Sequence, residues 1–199
     1  FTPSAEQVAS MEAVALSYAM PYGPAIALLP HTGLRCSEMC ALRVEDVRRI
    51  GGAAAAAVVG GAAVVGEVRY VLYVANAKNH RARNVPVTRR GCQILAAYLA
   101  DREEESPAAS TEWLFPTARG RCITRKDVEE KMRAIRERAG VPEMTAHAMR
   151  RYYCTQAILA GVSPAEVSKF VGHTNLGTLD RYYQPTGEQL VGTLEKAGL

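Results

Sequence analysis

The sequence predicts a mainly α-helical α+β fold: a helical domain with a small antiparallel β-sheet inserted near its N-terminal third. Two observations carry this. Apolar residues recur at three- and four-residue intervals before position 43 and again after position 88, as in helices with one buried face. Between them, residues 47–87 are rich in β-formers and broken by glycine or polar residues, the pattern of short strands and turns. A length of 199 residues suits one core, and no internal repeat divides it.

The first helix opens at Thr2-Pro3-Ser4, where an early proline suits a helix start. Val8, Met11, Val14 or Ala15, and Tyr18 mark its buried face. A second helix is expected over 24–31, stopping at Thr32-Gly33, and a third starts near Cys36 and carries Glu38, Met39 and Leu42. Strands are expected over 47–50, 58–65, 67–75 and 81–87, with 69–74 and 83–87 pairing as a hairpin across 76–80. Residues 51–66 form a Gly/Ala-rich insertion in this region, either a longer hairpin arm or a loop. Thr88 caps a helix through Ile94, Leu95, Tyr98 and Leu99, followed by a polar linker over 101–110. Thr124-Arg125-Lys126-Asp127 is a capping-box variant that opens a helix ended by Gly140. Residues 147–159 read as helix up to Gly161. Ser163-Pro164-Ala165-Glu166 is a capping box whose helix stops at Gly172. A short helix holds Tyr182 and a last one spans 187–196.

No apolar run approaches the roughly 20 residues that span a bilayer, and no signal segment opens the chain, so no membrane association is expected. The five cysteines (Cys36, Cys40, Cys92, Cys122, Cys154) form no C-x-x-C pair and have no histidine at zinc-finger spacing. They read as reduced, mostly buried thiols of a cytoplasmic protein without a structural metal. The net charge of +4 permits a polyanionic partner without demanding one. Its distribution says more: residues 119–138 hold eight Arg or Lys against four acids, and Arg81, Arg83, Arg89 and Arg90 crowd a second stretch.

Several residues are candidates for chemistry. Arg35 follows the turn Thr32-Gly33-Leu34, a position from which side chains are aimed at ligands, although pairing with Glu38 is the plainer reading. His147 and Arg150, three apart, share one face of a helical turn, and a phosphate would satisfy both. His173 follows Gly172 at a helix end, where it also suits exposed carbonyls. Tyr182 comes nine residues later with Tyr183 beside it, and Lys78 lies in the expected hairpin turn. Each signal is weak alone.

In this order and spacing the set resembles the tyrosine site-specific recombinase family, the phage and conjugative-element integrases, over essentially the whole chain from Thr2 to about Gln184. The resemblance implies the catalytic fold of that family across 1–199. It implies that Arg35 and Arg150 clamp a scissile phosphate, that Lys78 reaches it from the hairpin, and that His147 and His173 complete the pocket. Tyr182 matches the nucleophile and Glu38 a supporting acid that holds Arg35. Departures are few. Pro30-His31 stands where the family has plain helix formers, so that helix is expected to end early. Arg151 replaces a common histidine, and Gly177 a small hydroxyl residue.

The implied reaction is site-specific cleavage and rejoining of DNA through a 3′-phosphotyrosine ester, with no cofactor, metal or ATP. The implied partner is double-stranded DNA, bound as a homotetramer on paired sites by a protein monomeric when free. Phosphate contacts are expected from Arg81, Arg83, Arg119, Arg121, Arg125 and Lys126, with the helix from Thr124 as the candidate for groove contacts. By the same resemblance the protein is bacterial or phage-encoded, 185–199 is a tail exchanged between protomers, and the start at Phe1 reads as an excised catalytic fragment lacking a core-binding domain. A type IB topoisomerase shares the pocket chemistry, and a non-catalytic helix-turn-helix module would share the basic stretches without needing the whole set.

Overall fold

The structure, a computed structural model, describes residues 1–51, 57–59, 62–64, 68–75, 82–104 and 111–172. Helix α1 (Ala5–Leu16) begins at Ser4, whose hydroxyl accepts from the Gln7 N–H while the Gln7 side chain accepts from the Ser4 N–H. Helix α2 (Tyr22–Thr32) is the centre of the domain: Ala25 to Leu29 are at most 1% exposed, and α2 packs against α1, α4 (Arg89–Glu104) and α6 (Ala146–Leu159).

The early end expected at Pro30 does not occur, since α2 runs through it to Thr32. Proline removes one backbone bond from the helix, but this turn is held by its surroundings. The Thr32 hydroxyl donates to the Leu28 carbonyl (3.0 Å), and the Gly33 N–H to that of Leu29 (3.3 Å). His31 is fixed between Glu12 (2.7 Å) and the Thr88 hydroxyl (2.9 Å). Buried Glu12 in turn accepts from Arg90. Burial depresses the His31 pKa, outweighing the opposite pull of Glu12.

Gly33 then reverses the chain with φ +60°, and a Cβ there would lie 2.4 Å from the Tyr153 ring. The left-handed conformation and the contact both exclude a side chain. Gly33→Ala is therefore expected to lower stability by about 2 kcal/mol or more. Urea unfolding would measure it, and a loss within experimental error would mean that the Tyr153 ring moves aside freely.

Helix α3 (Cys36–Cys40) follows at once, and then a three-stranded antiparallel sheet. Strand β1 (Val47–Ile50) pairs with β4 (Arg69–Val74), and β4 with β5 (Arg83–Pro86), giving the order β1-β4-β5 in a register that sets buried Leu72 opposite buried Val85. The hairpin thus forms where expected, whereas Lys78 and Arg81 in its connection lie outside the described residues. Within 51–66, open between a hairpin arm and a loop, the described residues agree with the hairpin: the stretch 58–65 is two strands rather than one, β2 (Ala57–Val59) and β3 (Ala62–Val64), paired antiparallel as a separate two-stranded sheet.

Helix α4 also differs, continuing through 101–104 where a linker was expected. Arg102 explains this: it is 5% exposed and donates to the Thr111 and Trp113 carbonyls (2.7 and 3.3 Å), so that turn faces inward. Helices α5 (Arg125–Arg138) and α7 (Pro164–Val171) start at the predicted capping boxes, Thr124/Asp127 and Ser163/Glu166. Tyr153, Cys154, Ile158, Val167 and Val171 form a small apolar cluster that fixes α7 against α6. Among the described residues no helix is long and apolar enough to cross a membrane. All five cysteines are free, and only Cys122 is not buried.

Candidate active site

Arg35 sits at the N-cap of α3, where its backbone N–H donates to Glu38 (2.8 Å) and its guanidinium returns to the same carboxylate (2.8 Å). The short helix therefore aims the arginine and holds it from behind. Arg150, on α6, is buried at 4% exposure and donates to the Gly33 carbonyl (2.7 Å) and the Val171 carbonyl (2.7 Å). The supposed choice for Arg35, ligand contact or partnership with Glu38, is thus not exclusive: the pair forms while Arg35 keeps a third of its side chain exposed (32%) and lines a cavity of about 550 Å³.

The end of α7 completes the cluster. The carbonyls of Phe170, Val171 and Gly172 each accept from one arginine, respectively Arg83 (2.9 Å), Arg150 (2.7 Å) and Arg35 (3.0 Å). A helix C-terminus carries partial negative charge, which together with Glu38 explains how three guanidiniums gather here. Glu38 is held below the usual carboxylate range: burial raises it, but Arg83 and Arg35 together outweigh that. Arg150 is pushed down to about 10, by burial first and then by Arg35, so it stays charged at neutral pH.

His147 lines the same cavity one helical turn before Arg150, near the N-terminus of α6, whose dipole favours anions. Its pKa is depressed by partial burial and then by Arg151, Arg150 and Arg35, so the imidazole is neutral at pH 7 and able to accept a proton. A bound anion would offset those three cations and restore part of its basicity.

Of the predicted site residues, the structure brings together Arg35, Glu38, His147 and Arg150. Lys78, His173 and Tyr182 lie outside the described residues, as does Arg81. Arg119, Arg121 and Lys126 are exposed and do not line the cavity, whereas Arg125 does, paired with Glu129 (2.7 Å). Arg83 departs most from expectation. Its side chain is 7% exposed and its charge is committed to Glu38 (2.8 Å), so it is not a surface cation available to a DNA phosphate. Arg133 and Arg136, which lie in the basic stretch 119–138 but were not singled out from sequence, also line the cavity. They follow Arg125 by eight and eleven residues, which is one helical face, so the spacing held the signal.

Turns and helix ends of this helical domain thus bring two arginines and a histidine onto one cationic cavity. The sequence profile of the Phage integrase family matches residues 4–189, and the chain belongs to that family. It is 29% identical over 177 residues to tyrosine recombinase XerA of Thermococcus kodakarensis, covering 87% of this chain and 54% of that protein. The chain thus spans about half the length of this curated relative. The fold is similar to the crystal structure of XerA recombinase (TM-score 0.72, 19% identity, 99% of this chain and 65% of that one). It is also similar to the Tn1549 transposon integrase in complex with circular intermediate DNA (TM-score 0.66, 20% identity, 98% of this chain and 64% of that one).

Proposed function

We propose that this chain is the catalytic part of a site-specific recombinase that cleaves and rejoins DNA through a 3′-phosphotyrosine intermediate, in the service of a mobile genetic element. The observation that carries this reading is the meeting of Arg35 with His147 and Arg150, more than a hundred residues later in the sequence, on one cationic cavity backed by Glu38. Membership of the integrase family and similarity to an integrase bound to DNA support it.

The chemistry follows from the charges. A phosphodiester repels an incoming oxygen until its own charge is neutralised. Arg35 and Arg150 supply permanently charged donors whose attraction grows as charge builds on the equatorial oxygens. A phenol has a pKa of about 10, so Tyr182 loses its proton as it attacks phosphorus, and His147 accepts it. The P–O5′ bond breaks, and the departing 5′ oxygen takes a proton from Lys78. The phosphodiester bond is conserved as a tyrosyl ester, so another 5′ hydroxyl can reverse the step and rejoin strands without ATP. His173 completes the pocket in this reading.

The partner is duplex DNA, held as a tetramer on paired sites. Residues 1–199 are the catalytic domain, 51–66 an insertion in its sheet region, and 185–199 the tail exchanged between protomers. Backbone contacts come from α5 and its approach. Reversing charge at Arg125 together with Arg133 is expected to weaken DNA binding about tenfold near 0.1 M salt and to flatten its salt dependence by one to two ion equivalents. Fluorescence anisotropy across a salt series would read both. An unchanged slope would remove this face from the DNA path.

The reading is tested by incubating the full chain with a random library of nicked duplexes, whose short released strand traps a covalent intermediate. DNA-linked protein is isolated under denaturing conditions and the modified residue mapped by mass spectrometry. Attachment to Tyr182 is the expected result. Attachment to Tyr183 would shift the nucleophile by one, and no adduct even from the longest natural form of the protein would leave a DNA-binding role only.

A further inference from the structure

Arg83 is not among the residues that the recombinase reading needs, yet among the described residues around the site it is nearly as enclosed a cation as Arg150, with 7% of its side chain exposed against 4%. It reaches from β5 to Glu38 Oε2 (2.8 Å) and the Phe170 carbonyl (2.9 Å). A Cβ on Gly172 would lie 3.0 Å from the guanidinium carbon, so the glycine at the end of α7 leaves room for this arginine.

The geometry of Glu38 shows what that contact does. Oε1 is taken by the Arg35 guanidinium (2.8 Å), and Oε2 by the Arg35 backbone N–H (2.8 Å) and by Arg83 (2.8 Å). Arg150 Nη1 forms only a long ion pair with Oε2 (3.8 Å), beyond hydrogen-bond range, and donates to the Gly33 carbonyl at 2.7 Å. The carboxylate side chain is only 5% exposed, so water does not readily replace a lost partner there. With Arg83 gone, Arg150 is, among the described residues, the cation beside that carboxylate not already hydrogen-bonded to it. Attraction at such a distance in a buried site is strong enough to move a side chain.

We propose that Arg83 is a positioning residue: by occupying Glu38 Oε2 it keeps that carboxylate from drawing Arg150 out of its long ion pair into a direct hydrogen bond, and so holds Arg150 in the place from which it reaches the phosphate. It acts through Glu38 and touches no reacting atom. It also ties the β-hairpin, whose connection contains Lys78, to the carbonyl end of α7. This inference rests on the recombinase reading only for the identity of the anion.

The test is a double-mutant cycle between Arg83→Gln and Glu38→Gln in the full chain. Two quantities are measured on all four proteins: the single-turnover rate of adduct formation on a nicked duplex recovered from the library, and the dissociation constant of inorganic phosphate. With Glu38 in place, Arg83→Gln is expected to slow adduct formation about 30-fold and to weaken phosphate by a similar factor, the size of coupling seen between close charged groups. In the Glu38→Gln background no carboxylate remains to divert Arg150, and the same substitution is expected to cost less than about threefold. A role in packing alone would cost the same in both backgrounds, and that result overturns the proposal, as does no effect in either. Should Arg83→Gln fail to fold, Arg83→Lys takes its place. An amine still fills Oε2, so near-normal rates support the proposal, and a loss as deep as that of Arg150→Ala overturns it. If phosphate binding follows the predicted pattern while no protein forms an adduct, the role of Arg83 stands and the recombinase reading falls.

Discussion

Tyr182→Phe is expected to abolish the covalent adduct, by at least about 10⁴-fold, while DNA affinity stays within about twofold. The substitution deletes one oxygen. It removes the proposed nucleophile but no charge, and affinity for DNA generally rests on arginine and lysine contacts to phosphates. The neighbouring Tyr183→Phe makes the control, because it removes the same group one residue away and should leave adduct formation largely intact. Quenched reactions with a nicked duplex, read on denaturing gels, would report the chemistry, and anisotropy the binding. Persistence of the adduct in Tyr182→Phe with its loss in Tyr183→Phe would move the nucleophile by one position. Parallel loss of binding and adduct would show instead that the hydroxyl is needed to hold DNA, and would leave its role as nucleophile unsupported.

The contrast between what was legible in the sequence and what was not follows the range of the interactions involved. Helix starts were readable because a capping box is closed within four residues: Ser163 with Glu166, and Thr124 with Asp127, form as the sequence suggests. The β4–β5 hairpin was readable because its partners are close in the chain. Pro30 was misleading because a local rule was overridden from afar, by Glu12 and Thr88 gripping His31. Arg102 misled similarly, since a charged residue reads as surface until its carbonyl partners on 111 and 113 are known.

The site shows the same division. Arg35, Glu38, His147 and Arg150 were picked out by order and spacing, and they converge. That Arg83 turns inward was not readable, because its partners Glu38 and Phe170 lie 45 and 87 residues away. An arginine in a basic stretch looks the same in sequence whether it faces DNA or a buried carboxylate. Only the fold distinguishes the two, and here it converts one expected DNA contact into part of the scaffold behind Arg35 and Arg150.

Arg150→Ala is expected to slow adduct formation about 10²–10³-fold, the usual consequence of deleting one charged donor aimed at developing negative charge. Its effect on stability is expected to be a loss of about 2 kcal/mol, held down because opposing effects meet at this residue. The substitution strands the Gly33 and Val171 carbonyls, each losing a charge-assisted hydrogen bond of 2.7 Å, and leaves a void beside Tyr153 and Cys154. It also relieves the repulsion and desolvation that push Arg150 down to about 10. The stranded carbonyls and the void outweigh that relief, since water entering from the cavity satisfies them only in part. Arg150→Lys separates charge from geometry: it keeps the cation, but one amine cannot span two carbonyls on opposite sides and still present a donor to the phosphate. Lysine should therefore recover most of the stability and little of the rate. Urea unfolding and single-turnover trapping on the same three proteins would decide it, and a lysine variant with near-normal rates would mean that Arg150 serves as a point charge alone.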